Sequence, residues 1–245
     1  MSENKQFKQP SFLDSGILLV DKPPEWTSHD VVNLIRRRFN VKKVGHCGTL
    51  DPAATGLLVM VLGRATKLSQ KLSGDDKTYE GNMLIGTETD SQDLDGTITA
   101  ENDWSAVTKE QVIKVSKEFT GELYQTPPMV SAKKIGGKRL YKLAREGKVV
   151  EREPVKIKIN CLNITEIDLP YVKFNASCSK GTYIRTLCYD IGKQLGCGAV
   201  LAGLRRTQCG MFSIENSTTV EKIKEWEQEE LAENLLWLHN LKIPI

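Results

Sequence analysis

The sequence predicts one mixed α/β domain that closes in a helical tail. Three observations carry this. Apolar runs of strand length alternate with segments of helical period, Gly, Pro and Asn/Asp clusters punctuate them, and no repeat or low-complexity linker divides the 245 residues. Chains of this size with interleaved strands and helices often stay one unit around one extended core, so a single domain over 1–245 is expected.

GILLV at 16–20 is a short apolar run ending in DKPP, a strand leading into a rigid turn. A helix follows, because Thr27 and Asp30 have capping-box spacing and Val31, Leu34, Ile35 and Phe39 fall on one face. Arg36, Arg37 and Arg38 crowd its other side, either as a solvated face or as phosphate contacts. GHCGTLDPAATG (45–56) is dense in Gly, Pro and Thr and runs into LLVMVLG (57–63), a buried strand by its apolar continuity. ATKLSQKLS (65–73) reads as helical, KTYEGNMLIG (77–86) as a strand, and the acidic stretch after it as a loop. Thr108 and Gln111 cap a helix that runs to Phe119, with Gly121 as its stop. TPP (126–128) breaks the chain, and GKRLYKLAREG (137–147) makes a small helix with a narrow apolar stripe. Strands are expected near 154–167 and 171–178, then a strand end passing into a helix over 179–196, the apolar AVLAGLRRTQCG at 199–210, and two short closing helices.

No stretch approaches the roughly 20 apolar residues that cross a bilayer, and the polar start MSENKQFKQP lacks a signal-like apolar core, so a cytoplasmic location without membrane contact is expected. Six cysteines, without a CxxC pair or the histidines that would complete a zinc site, read as reduced thiols; with only His29, His46 and His239 in the chain, no metal is expected. The net charge of +3 conceals segregation. Residues 131–158 hold ten Lys/Arg against three Glu, a balance of +7, whereas 88–107 holds six acids and no base. The basic segment suits a polyanion, and the acidic one should face away from it.

Gly45 to Gly56 is the segment most suited to chemistry, because a carboxylate in a Gly/Pro-rich loop beside a buried strand is a poor structural element and a good reactive one. Asp51 is the candidate, although GTLDP taken alone also fits a turn in which the Asp caps a backbone N–H. GxxxxGK[ST], GxGxxG, HExxH and GxSxG are all absent, which removes the signatures of nucleotide hydrolysis, hydride transfer, and zinc or serine hydrolysis.

Several ordered motifs resemble the TruB family of bacterial tRNA pseudouridine synthases across about residues 15–215: LLVDKPPEWTSHD, GHCGTLDPAATGLLVM, KTYEGNMLIGTETDSQDLDG, TPPMVSAKKIGGKRLYKLAREG, CSKGTYIRTLCYDIG and GLRR. The resemblance implies the α+β class, with a mixed, largely antiparallel sheet, flanking helices and a catalytic cleft. It implies isomerisation of uridine 55 in the T loop of tRNA by base flipping, with no cofactor. Asp51 would be the essential carboxylate, acting at C1′ or assisting glycal formation; acylal, C6 adduct and glycal routes stay open. A protein that opens and recloses the tRNA elbow, with modification incidental, is the rival reading.

Within the resemblance, Tyr79 matches the aromatic that stacks on the target uracil and takes part in removing the C5 proton. Tyr183 and Arg185, two apart and so on one face of a strand, match a pocket ring and a guanidinium pairing with Asp51. His46 matches the residue that replaces the flipped base, Leu204 an apolar pocket residue, and Lys22 a neighbour of the catalytic cleft. Segment 125–152 resembles a thumb-like insertion over the T arm, in which Lys133, Lys134, Lys138 and Arg139 would grip phosphates. A monomer working without guide RNA is expected, and with Ile245 as the last residue the C-terminal PUA-type domain common in bacterial members is expected to be missing.

Overall fold

Apolar continuity makes the first strands: β1 (Gly16–Lys22) holds six buried positions of seven. The computed structural model describes residues 15–131 and 133–237; the polar N-terminal start and His239 lie outside the described residues. Two units emerge, residues 1–74 with 211–245, and residues 75–210.

In the first unit, α1 (Ser28–Arg38) starts at the expected capping box: Thr27 Oγ1 accepts from Asp30 N at 3.1 Å while Asp30 Oδ2 accepts from Thr27 N at 2.9 Å. The Thr27 hydroxyl, which donates to Asp30 Oδ2 at 2.6 Å, and the Thr27 N–H hold the Asp30 carboxyl below its ordinary range. β2 (Val44–His46) and β3 (Thr55–Leu62) follow, with β1 antiparallel to β3 from Gly16↔Leu62 to Lys22↔Gly56 and β2 also on β3. Strands covered on both faces read as unbroken apolar runs, as these do. The helix expected at 65–73 is a 3₁₀ stretch over Gly63–Leu68 that leads into α2 (Ser69–Leu72). Thr66 Oγ1 donates to Gly63 O at 2.7 Å, a local bond that competes with a regular helical ladder.

The second unit is built on β4 (Lys77–Ile85), whose residues 77, 79, 81, 83 and 85 form its buried face. The acidic stretch read as a loop contains a hairpin instead, β5 (Thr87–Thr89) against β6 (Ile98–Glu101), whose pairing reaches across an intervening turn and so escapes local inspection. α3 (Lys109–Glu118) begins at the Thr108/Gln111 capping box, and β7 (Gly121–Gln125) follows at once. The thumb-like segment carries β8 (Lys134–Ile135), β9 (Lys138–Arg139) and α4 (Leu140–Arg145). β10 (Val155–Asp168) and β11 (Tyr171–Cys178) form a long hairpin, α5 (Ile184–Leu195) ends on left-handed Gly196, and β12 (Ala199–Cys209) completes the unit. Its sheet runs β12-β4-β11-β10-β7, antiparallel throughout, with α3 against β10, α5 against β12, and the two helices touching.

The chain then returns to the first unit through β13 (Phe212–Ser213), β14 (Thr218–Thr219), α6 (Val220–Glu225), α7 (Gln228–Asn234) and β15 (Leu236–Trp237). β14 lies parallel to one end of β1 and β15 antiparallel to the other. Arg38 secures this tail through Glu227 at 2.9 Å and the Trp226 carbonyl. A mixed, largely antiparallel sheet flanked by helices is the α+β class expected. No helix among the described residues is long and apolar enough to cross a membrane.

Candidate active site

The loop that bears Asp51 is fastened by two buried side chains, one at the end of β1 and one at the start of α1. Lys22, 0% exposed, donates from Nζ to the carbonyls of Pro23 (2.8 Å), Trp26 (2.6 Å) and Pro52 (3.0 Å), so one ammonium ties the DKPP turn to the residue after Asp51. Ser28 grips Leu50 twice: its Oγ accepts from Leu50 N at 2.9 Å and donates to Leu50 O at 3.1 Å. Cys47 and Leu50 point into the core, and Ala54 N closes a turn on the Asp51 carbonyl at 3.1 Å. Gly48 (φ 91°) and Gly56 (φ 100°) supply the left-handed backbone that the bends require. Asp51 itself is left half-buried on a rigid loop. His46 closes β2, half-buried and opposite Met60.

The other expected residues belong to the second unit. Tyr79 is 8% exposed on the buried face of β4, between Ala176 of β11 and Arg206 of β12. Burial pushes its hydroxyl up to about 12, and a hydrogen bond from the Arg206 side chain works against that rise. Leu204, half-buried, sits opposite Gly81 and so shares this face. Gly81 keeps the face open for Phe174, whose ring would lie 2.2 Å from any Cβ at that position.

Tyr183 and Arg185 do not lie on a strand, which corrects the reading from their spacing. Tyr183 is the N-cap of α5 and Arg185 stands in its first turn, where a two-residue step rotates about 200° rather than returning to one face. Gln125 fixes the Tyr183 backbone in both directions, accepting from its N–H at 2.8 Å and donating to its carbonyl at 3.1 Å. Arg185, 4% exposed, donates to the carbonyls of Ser91 (2.8 Å) and Val130 (2.9 Å) and forms an ion pair with Asp93 at 3.4 Å. The acidic segment is thus partly folded inward around this guanidinium. Gln92, at φ 68°, is held in that bend by Thr186 Oγ1 on its side chain (2.7 Å) and Leu201 N on its carbonyl (3.1 Å).

Sequence reasoning passed over Ser28, Gln125, Asp93 and Arg206. Ser28 and Gln125 carry no spacing signal, because their partners stand 22 and 58 residues away. Of the phosphate-gripping candidates, Lys138 is exposed and Lys133 half-exposed, while Lys134 and Arg139 are register partners on β8 and β9. Cys161 is exposed and the other five cysteines are buried. Among the described residues no group of three or more His, Cys, Asp or Glu is placed to hold a metal ion.

Comparison with known proteins agrees with this architecture. The profile described as "TruB family pseudouridylate synthase (N terminal domain)" matches residues 36–184, and that of the "tRNA pseudouridylate synthase B C-terminal domain" matches 185–242. The tRNA pseudouridine synthase B of Opitutus terrae is 45% identical over 228 residues, covering 93% of this chain and 95% of that protein. That of Clostridium tetani is 48% identical over 211 residues, covering 86% and 73% respectively. Among solved structures, a chain of a Cbf5-Nop10-Gar1 complex superposes with a TM-score of 0.72 at 30% identity, over 94% of this chain and 62% of that one. With a family profile spanning most of its length and relatives near half-identical over most of theirs, the chain belongs to the TruB family of pseudouridylate synthases.

Proposed function

We propose that this chain isomerises uridine 55 in the T loop of tRNA to pseudouridine, flipping the base out of the loop and using Asp51 as the essential carboxylate. The observation that carries the reading is the loop geometry. Lys22 and Ser28 fasten the backbone on both sides of Asp51, which is itself half-buried, and that is how a reactive group is held ready at little reorganisation cost. Relatives at 45% and 48% identity bear the name tRNA pseudouridine synthase B, which supports tRNA as substrate; in this reading no guide RNA takes part.

In this reading Asp51 offsets the positive character that appears at C1′ when the C1′–N1 bond breaks. Tyr79 stacks on the uracil, Leu204 lines its pocket and Tyr183 offers a second ring. Arg185, held at three points, is a preoriented positive charge, and His46 occupies the space the flipped base leaves. After the ring reattaches through C5, the Tyr79 oxygen takes the C5 proton as its own hydroxyl proton passes to solvent. The C–H electron pair then forms the C5=C6 bond, and the C6=N1 pair moves to N1, which takes a proton from solvent. Lys133, Lys134, Lys138 and Arg139 hold the phosphates of the T arm.

The test is incubation with an unmodified tRNA transcript followed by carbodiimide mapping of pseudouridine. A single stop at position 55 is expected; stops elsewhere only, or none, overturn the assignment. The elbow-refolding alternative separates in cells, where Asp51→Asn abolishes the benefit of an enzyme and preserves that of a folding factor.

A further inference from the structure

The buried face of β4 holds a full charge that the roles above do not use. Arg206 is 1% exposed and stands directly opposite Tyr79 in the β4–β12 register, so the two side chains leave the sheet on the same side. The guanidinium can only donate, and the Tyr79 oxygen accepts from it. The register then shifts between Arg206 and Gln208, a bulge of one residue at Thr207 that also turns Cys209 inward, opposite Lys77. Cys178 of β11 flanks Lys77 from the other side. The groups facing Tyr79 are therefore Lys77 on its own strand, Arg206 and Cys209 on β12, and Cys178 on β11. Burial pushes both thiols up, Cys178 to about 11, so they stay neutral, and the Lys77 ammonium donates to the Asp75 carbonyl. Arg206 is the cation whose hydrogen bond reaches the phenol.

A buried guanidinium is costly to desolvate, and apolar residues of similar size commonly serve a core better. Its hydrogen bond to the phenol oxygen gives it a chemical use. We propose that Arg206 is a positioning residue for pseudouridine formation: it orients the Tyr79 hydroxyl and stabilises the negative charge that builds on its oxygen as the hydroxyl proton leaves and the C5 proton arrives. This rests on the reading of Tyr79 as the acceptor of that proton. The proton moves from C5 to the Tyr79 oxygen, the hydroxyl proton of Tyr79 passes to solvent and Arg206 keeps all of its own, so no further reactant is needed. Burial alone disfavours a phenolate, and a donor of fixed positive charge at hydrogen-bond range is the group that opposes this.

The experiment compares single-turnover rates of the wild type, Tyr79→Phe, Arg206→Gln, Arg206→Lys and the double variant Tyr79→Phe/Arg206→Gln, on tRNA with protium or deuterium at C5 of the target uridine. Arg206→Gln is expected to slow turnover by about tenfold to a hundredfold, the weight of a hydrogen bond to a charged group. It should also raise the C5 isotope effect above the wild-type value, because proton removal becomes the slow step. Arg206→Lys recovers part of the rate, and the double variant is no slower than Tyr79→Phe alone. Melting temperatures identify any variant that fails to fold; should Arg206→Gln fail, Arg206→Lys is read by the same isotope effect. An Arg206→Gln variant with wild-type rate, a slow one with an unchanged isotope effect, or multiplied losses in the double variant overturns the proposal. A fully active Tyr79→Phe overturns the role of Tyr79 itself, and with it this inference, and is recognised from that variant's rate alone.

Discussion

The Asp51 loop and the thumb-like segment are held by opposite means. Around Asp51 a buried ammonium and a buried hydroxyl make five bonds to backbone atoms, and apolar side chains on either side enter the core. In the thumb-like segment two strands of two residues and one six-residue helix carry basic side chains, of which Lys138 and Lys142 are exposed. Chemistry at one atom needs a fixed carboxylate; a grip on phosphates needs only charge within reach, because Coulomb attraction falls off slowly and tolerates displacement.

The largest effect should come from breaking the fixed end. Asp51→Ala is expected to abolish turnover while tRNA affinity stays within about tenfold, or ~1.4 kcal/mol. Turnover is read by pseudouridine mapping and affinity by filter binding, and residual multiple turnover by Asp51→Ala removes its role. Replacing Lys133, Lys134, Lys138 and Arg139 together attacks the other end. Binding should weaken and the log–log salt slope should fall by roughly 3 to 4, about 0.7–0.9 for each phosphate no longer neutralised, while the rate at saturating tRNA changes little. An unchanged slope means that this segment does not touch phosphate.

Ser28→Ala sharpens the comparison, since it loosens the loop without touching Asp51. Leaving both polar atoms of Leu50 without Ser28 should cost about 1–3 kcal/mol of stability, seen as a lower melting temperature, together with a loss of single-turnover rate. A stability loss with wild-type rate would show that the loop tolerates slack.

The smallest effect concerns α5, which carries Arg185. Burial pushes the Asp190 carboxyl up to about 6, so the folded chain holds that proton more tightly than the unfolded chain does. Asp190 therefore costs stability above pH 6, and this cost disappears as pH falls below the unfolded value near 4. Asp190→Asn should raise the melting temperature at pH 7.5 and lose that advantage by pH 4; an equal gain at both pH values would point to a cause other than ionisation.

What the sequence disclosed follows the range of the interactions. The capping boxes at Thr27/Asp30 and Thr108/Gln111 are legible because both partners lie within one helical turn. β1 and β3 are legible because burial on both faces leaves an unbroken apolar run. The β5–β6 hairpin is not, since its acidic residues mask a pairing that depends on the partner strand. Arg185 is assigned to the wrong kind of element by its spacing, because a step of two has meaning only once the strand boundary is known, and β11 ends at Cys178. Arg206 looks like an ordinary surface charge in GLRR; only its neighbour across the sheet shows otherwise.

The bulge at Thr207 turns chain length into a chemical property. Side chains along a strand alternate between faces, so a single additional residue reverses the parity of everything beyond it. With Thr207 present, Arg206 and Cys209 can both look inward although three positions separate them. Delete that residue, and β12 could still pair with β4 along its length, yet one of the two would have to face outward, either taking the guanidinium from Tyr79 or exposing the core around Lys77. Thr207 contributes only one long side-chain bond of its own, to the Thr78 carbonyl at 3.3 Å, so many residues could stand there. What the position transmits from one generation of the sequence to the next is a count, not an identity.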